Sequence, residues 1–173
     1  TVDDDDKTGK LLNAQGRVIT ASFPCFIVVG AYVPTTTFSN HPKFKERSAL
    51  RAHFDSLMAP HLRRLALRSE VVFLGDMNVT MTHDDTYANI PGLLDDFPSC
   101  RPSERRRFKQ LLHDAKLTDV FAVFPTPDDR RPTWFRTSRQ RRRGRGLRLD
   151  MVFATQGLLT KNTEVRVAAL RHH

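Results

Sequence analysis

Cysteine is nearly absent from this chain of 173 residues, where Cys25 and Cys100 are the only two. They allow at most one bridge, which excludes a disulfide-stapled scaffold, and nothing in their spacing suggests a zinc site or a redox pair. A reducing compartment is therefore expected. Long apolar runs are also missing. The longest, Cys25 to Val33, has nine residues, far short of the roughly 20 that cross a bilayer as a helix. Thr1 to Lys10 is acidic and polar where a secretory leader is basic and then apolar. Neither a membrane span nor leader-directed secretion is expected. The histidines, including His53, His61, His83 and His113, lack the pairing and spacing of metal ligands. No internal repeat is present.

What the chain does have is enough apolar matter for one domain. Apolar residues make up 39% of it, with 12 phenylalanines among them, which excludes a wholly disordered chain. Lysine and arginine number 28 against 19 acidic residues, a formal charge of +9, so an acidic partner is expected, nucleic acid first. The excess is concentrated at Arg130, Arg131, Arg136, Arg139, Arg141 to Arg143, Arg145 and Arg148, around Trp134 and Phe135. An arbitrary charge run is usually a solvated loop. The interleaved aromatics and glycines favour a binding surface here.

Residues 1–15, with the run Asp3 to Asp6, lack periodicity and read as a mobile acidic loop. Residues 16–173 read as one domain. Gly16 to Phe23 alternates apolar and polar residues, and Cys25 to Val33 is almost continuously apolar, predicting two strands, the second buried on both faces. From Lys43 to Leu67 the apolar positions Leu50, Phe54, Leu57, Met58, Leu62 and Leu65 recur at helical spacing. Pro60 is a place for a kink. Val71 to Leu74 predicts a buried strand running into Gly75-Asp76-Met77-Asn78, and Pro102 to Leu117 a second helix with Pro102 in its first turn. Leu147 to Ala154 and Thr163 to Leu170 read as further strands. The mixture predicts an α+β or layered α/β domain.

The chemistry concentrates in three places. Asp76 can accept a proton and Asn78, two residues on, can orient a water, with both side chains on one face of an extended chain. The plainer alternative is an Asx turn in which both bond the local backbone. Gly144-Arg145-Gly146-Leu147-Arg148-Leu149-Asp150 is a flexed loop carrying Asp150 into a strand, or a hairpin edge closed by an Arg148–Asp150 ion pair. Tyr32 ends the long apolar run, where a tyrosine ordinarily packs its ring. The Asp84-Asp85 pair reads as a solvated turn.

In order, GRVITASF, VVGAYVPT, a helix, VVFLGDMNV, PSERRRFKQLL, PTWF and GRGLRLDMVFAT resemble the exonuclease III family of apurinic/apyrimidinic endonucleases, within the endonuclease/exonuclease/phosphatase superfamily. The resemblance runs from about Gly16 to Leu170 and implies a four-layered α/β sandwich, two sheets face to face with helices outside. It implies that Asp76 activates or positions the attacking water, that Asn78 holds the scissile phosphate and nucleophile, and that Tyr32 contacts phosphate. Asp150 matches the aspartate that orients a catalytic histidine. Trp134, Leu147 and Leu149 match the apolar wall of a pocket for a flipped-out abasic sugar, and Arg148 a residue of the DNA face, with Arg145 beside it. The implied cofactor is magnesium or manganese, and the implied partner is DNA with abasic sites, bound by a monomer. Nucleus or mitochondrion would follow in a eukaryote, cytoplasm in a bacterium.

The family's first-strand asparagine, its metal-binding glutamate and its Ser-Asp-His motif have no counterpart among these residues. Thr35 stands where asparagine is common after Tyr-Val-Pro, and Arg101 where a helix-capping threonine is common. The 173 residues alone are thus expected to be inactive, lacking the principal metal ligand, and to be completed by another segment of the same protein. Alternatives are a catalytically dead nucleic-acid-binding or ribonucleoprotein module of the same fold, and a phosphoinositide phosphatase, sphingomyelinase or deadenylase sharing Asp76 and Asn78.

Overall fold

A computed structural model describes residues 14–88, 92–124 and 132–160. The acidic segment over 1–13 and the strand expected over 163–170 lie outside the described residues. Strands β1 (Val18–Ser22) and β2 (Phe26–Tyr32) form a hairpin, followed by helix α1 (Phe44–Ala66) and strand β3 (Glu70–Asp76). Helix α2 (Pro102–Asp114), strand β4 (Leu117–Asp119) and the short helices α3 (Val120–Val123) and α4 (Ser138–Arg142) come next. Strand β5 (Asp150–Thr155) and helix α5 (Gln156–Thr160) complete the order.

The strands make one five-stranded mixed sheet in the order β1-β2-β3-β5-β4, with β2 and β3 parallel and the other pairs antiparallel. The parallel pair needs a crossover, and α1 supplies it. Ile27, Val29 and Ala31 of β2 and Val71 and Phe73 of β3 point to one face and are buried with Phe54, Met58 and Leu62 of α1 and Phe108 and Leu111 of α2. Phe153 of β5 meets Phe73 at 6.0 Å and Phe108 at 5.6 Å between ring centroids. This is the core, between sheet and helices.

The α/β reading holds, with a difference in layering. Val28, Val72, Leu74 and Val152, on the sheet's other face, are only half-buried, so β2 is not buried on both sides. Among the described residues there is one sheet with helices, and the second sheet of the four-layered sandwich is not among them. Pro60 does not end α1. It lies exposed, within a helix that runs on to Ala66. The expected strand from Leu147 begins only at Asp150, because Leu147 instead exchanges two backbone hydrogen bonds with Trp134, each 2.9 Å. Cys25 is exposed and Cys100 buried, both as free thiols. Burial pushes the Cys100 thiol up to about 11.

Candidate active site

Strand pairing builds the site. Tyr32 is the register partner of Asp76 across β2 and β3, and Asp76 that of Asp150 across β3 and β5. The three residues therefore form a row across adjacent strands, about 5 Å from one backbone to the next. Alternation places all three on the face opposite the helices, since Ala31, Gly75 and Met151 occupy the other face. Gly75 makes the close approach possible: its φ is +136° and an added Cβ would lie 2.0 Å from the Ala31 carbonyl oxygen.

Asn78 does not join this row by extended alternation. It lies beyond β3 with φ at 45°, a left-handed conformation that asparagine tolerates. Its backbone N–H donates to Asp76 Oδ1 at 2.9 Å, an Asx turn, and its Nδ2 donates to the Val33 carbonyl at 2.9 Å and to Asp76 Oδ2 at 3.3 Å. With Nδ2 so engaged, the amide carbonyl Oδ1 is the atom left for a ligand. The Asx turn and the site are the same structure. From behind, the fully buried Arg51 of α1 donates NH1 to the Asn78 carbonyl at 2.9 Å and Nε to Asp55 Oδ1 at 3.0 Å.

A cavity of about 390 Å³ opens beside Tyr32 and Asp76, lined by these two, Asn78, Trp134, Leu147 and Leu149 among others, whereas Asp150 is not in its lining. Its size suits a small ligand. Phe38, Phe97 and Trp134 form an aromatic rim, with Phe97 5.2 Å from Phe38 and 6.4 Å from Trp134 between centroids. Arg136 also lines the cavity and sits 5.6 Å over the Phe38 ring. Arg17 stacks 5.1 Å over Tyr32 and donates to its carbonyl. Arg17, Phe38 and Phe97 have no signal in the sequence, since each is brought in by a separate segment.

The electrostatics distinguish the carboxylates. Burial pushes the Asp76 carboxyl above the usual range, the Asn78 N–H pulls it back, the Asp150 charge pushes it further up and Arg51 opposes. Asp150 itself is exposed, and its N–H and that of Leu149 both donate to Thr133 Oγ1 at 3.0 Å. These two neighbouring carboxylates and the Asn78 side-chain Oδ1 are hard oxygen donors. Such a set suits a divalent cation held by one or two carboxylates plus water and phosphate oxygens. Among the described residues no group of three or more His, Cys, Asp or Glu side chains could hold a metal.

Two expectations are corrected. Arg148 is not on an open DNA face: it is 5% exposed, absent from the cavity lining, and pairs with Asp85 at 3.0 Å and Asp119 at 2.9 Å rather than with Asp150. Burial works against its charge, but Asp119 and then Asp85 outweigh it and raise its pKa. Asp85 is correspondingly 4% exposed, not part of a solvated turn. Arg145 is exposed and lies outside the cavity lining, as do Arg141 to Arg143. Arg101 sits at the N-cap of α2 without capping through its side chain. Its guanidinium instead reaches Thr36 Oγ1 at 3.0 Å and the carbonyls of Thr37 and Asp96 at 2.8 Å, tying together two segments that line the cavity.

Comparison with known proteins bears on the family of the chain. The DNA repair nuclease APEX1 of Danio rerio is 33% identical over 146 residues, which are 84% of this chain and 44% of that protein. The DNA-(apurinic or apyrimidinic site) endonuclease 2 of Schizosaccharomyces pombe is 24% identical over 163 residues, 91% of this chain and 30% of that protein. The chain thus spans less than half the length of either relative. Among solved structures, an AP endonuclease from Archaeoglobus fulgidus superposes with a TM-score of 0.70 at 24% identity, over 90% of this chain and 57% of that one. A 3′-5′ exonuclease from Neisseria meningitidis gives 0.65 at 27% identity, over 83% and 54%. Residues 3–171 match the model of the Endonuclease/Exonuclease/phosphatase family, and with a match of that extent the chain belongs to this family.

Proposed function

We propose that this chain is part of a DNA-repair endonuclease that hydrolyses the backbone on the 5′ side of abasic sites with the help of magnesium. The observation that carries the reading is the cavity that Tyr32, Asp76 and Asn78 share with Trp134, Leu147 and Leu149, with Asp150 paired to Asp76 on the adjacent strand but outside the lining. A pocket with one wall of Trp134, Leu147 and Leu149 suits a deoxyribose that has lost its base, because no hydrogen-bonding base edge has to be satisfied against that wall. The two curated relatives are named for DNA repair and for apurinic or apyrimidinic sites, which supports the same substrate.

In this mechanism the Asp76 carboxylate takes the proton of the attacking water at Oδ1 or Oδ2 as the water oxygen bonds to phosphorus, the opposite P–O3′ bond breaks, and the departing 3′-oxygen takes a proton from solvent. Its raised proton affinity makes it a better base than an exposed aspartate. Asn78 Oδ1 accepts the second hydrogen of that water and fixes its direction. The Tyr32 hydroxyl donates to a phosphate oxygen, and Arg136 places positive charge at the rim where negative charge develops. Magnesium would be held in part by the Asp150 carboxylate and the Asp76 oxygen not used as the base, and would supply further positive charge at the phosphate.

The test is cleavage of a duplex bearing one abasic site by the full-length protein with magnesium, against an intact duplex and an inositol phosphate. Cleavage of the abasic duplex alone is expected, and an uncut abasic duplex rejects the reading. The arginines of α4 and its C-terminal end give a second prediction. Replacing Arg141, Arg142 and Arg143 with alanine is expected to weaken DNA binding and to reduce the slope of log affinity against log salt by about one for each phosphate no longer neutralised. An unchanged slope measured by fluorescence anisotropy returns that run to a solvated face.

A further inference from the structure

We propose that Arg148 is a positioning residue: with Asp85 and Asp119 it forms a buried clamp that turns Leu147 and Leu149 toward the cavity and fixes their distance from Asp76 and Asn78. Each link is visible. Arg148 NH1 donates to Asp85 Oδ1 at 3.0 Å, and NH2 donates to both oxygens of Asp119 at 3.0 and 2.9 Å. The Arg148 N–H donates to the Asp85 carbonyl at 2.9 Å, and the guanidinium lies 5.1 Å over the Phe121 ring. The remaining Asp85 oxygen, Oδ2, accepts the N–H groups of Met81 and Thr82, each at 2.9 Å. One carboxylate thereby joins the loop that leaves Asn78 to the segment that enters Asp150.

Alternation supplies the logic. In a locally extended segment, residue 148 points to one side and residues 147 and 149 to the other. Anchoring Arg148 inward against two carboxylates leaves Leu147 and Leu149 no choice but the cavity wall, where both lie. Trp134 follows, because it exchanges both backbone hydrogen bonds with Leu147. A planar guanidinium can serve two carboxylates at once, one of them through two bonds, whereas an ammonium cannot reproduce that fork.

The catalytic part of this inference rests on the proposed endonuclease reading, and the experiment separates the two. The informative variant is Asp119→Asn. Asparagine keeps the N-cap that Asp119 provides to Phe121 but loses the charge that holds Arg148. Arg148→Lys is its companion. Both are expected to lower kcat/KM on abasic duplex roughly tenfold to a hundredfold, with the salt slope of DNA binding unchanged. Trp134 is the single tryptophan, so its emission in the 173-residue chain reports the wall directly, without DNA. A red shift and stronger acrylamide quenching are expected in both variants. If Asp119→Asn lowers only the melting temperature and leaves Trp134 emission and kcat/KM as in the parent, the clamp is merely structural and the proposal fails. If Arg148→Gln reduces the salt slope by about one, Arg148 touches phosphate and the proposal also fails. A Trp134 shift in a protein that never cuts abasic DNA leaves the clamp standing and removes the endonuclease reading.

Discussion

Asp76→Asn is expected to lower abasic-site cleavage by the full-length protein about a hundredfold or more, the usual loss when a general base is removed, with DNA affinity nearly unchanged. The same substitution has a signature in stability. The folded-state proton affinity of Asp76 is raised, mainly by burial, above the unfolded value of about 3.9. The native state therefore binds this proton more tightly than the unfolded state does. Its contribution to stability is complete below the unfolded pKa and is lost as pH rises through the folded one. In metal-free buffer, urea unfolding at a series of pH values should show that decline for the parent chain. Asp55 shifts in the same direction and retains its share in the variant. The asparagine variant should show a shallower decline and greater stability at neutral pH. Magnesium should stabilise the parent more than the variant, because a ligand that binds only the folded state adds to its stability. Loss of DNA binding in the variant, or an unchanged pH slope, contradicts the role given to Asp76.

Gly75→Ala is the second large effect. At φ of +136° any side chain is strained, and the new Cβ would lie 2.0 Å from the Ala31 carbonyl oxygen and 3.0 Å from its carbon. Those atoms are backbone in the parallel β2–β3 pair, so no rotamer change relieves the clash. A loss of more than about 3 kcal/mol is expected, a fall in melting temperature on the order of 10 °C for a domain of this size. Circular dichroism during thermal unfolding measures it. Any relief that does occur moves β2 away from β3 next to Tyr32 and Asp76, so surviving activity should fall as well. A Gly75→Ala chain with the parent's melting temperature would show that the two strands have room for a side chain at this position.

Part of this is readable from the sequence because it rests on local periodicity. The apolar run into Gly75-Asp76-Met77-Asn78 announces a buried strand with polar residues at its exit, and the spacing of Phe54, Met58 and Leu62 announces the helix that covers it. Asn78 is legible for an incomplete reason: the two side chains meet through a left-handed turn, not through alternation along a strand. Asp85 and Arg148 mislead because their partners are far away in the chain. Asp85 lies 63 positions from Arg148, and Asp119 lies 29. A pair of aspartates before a threonine has the composition of a surface turn, and an arginine within a basic run has that of a solvated one. Only the fold shows that these charges neutralise one another in the interior. Arg51 is a similar case, a charge on the inner side of an amphipathic helix whose purpose is visible only when the Asn78 carbonyl arrives beside it. Phe38 and Phe97 carry no chemistry of their own and become informative only as neighbours of Trp134.

The row of Tyr32, Asp76 and Asp150 has an implication for how such a protein can vary. Its three side chains are set by a ladder of main-chain bonds, whereas Phe38, Phe97, Trp134 and Arg136 come from segments outside the strands. Shifting β5 by a single step would send Asp150 toward the helices, breaking up the row even if the protein still folded. Changing the surrounding segments would leave the three side chains aligned and alter only what fits beside them. Directed evolution toward altered ligand preference should therefore randomise the rim and spare the strand ends.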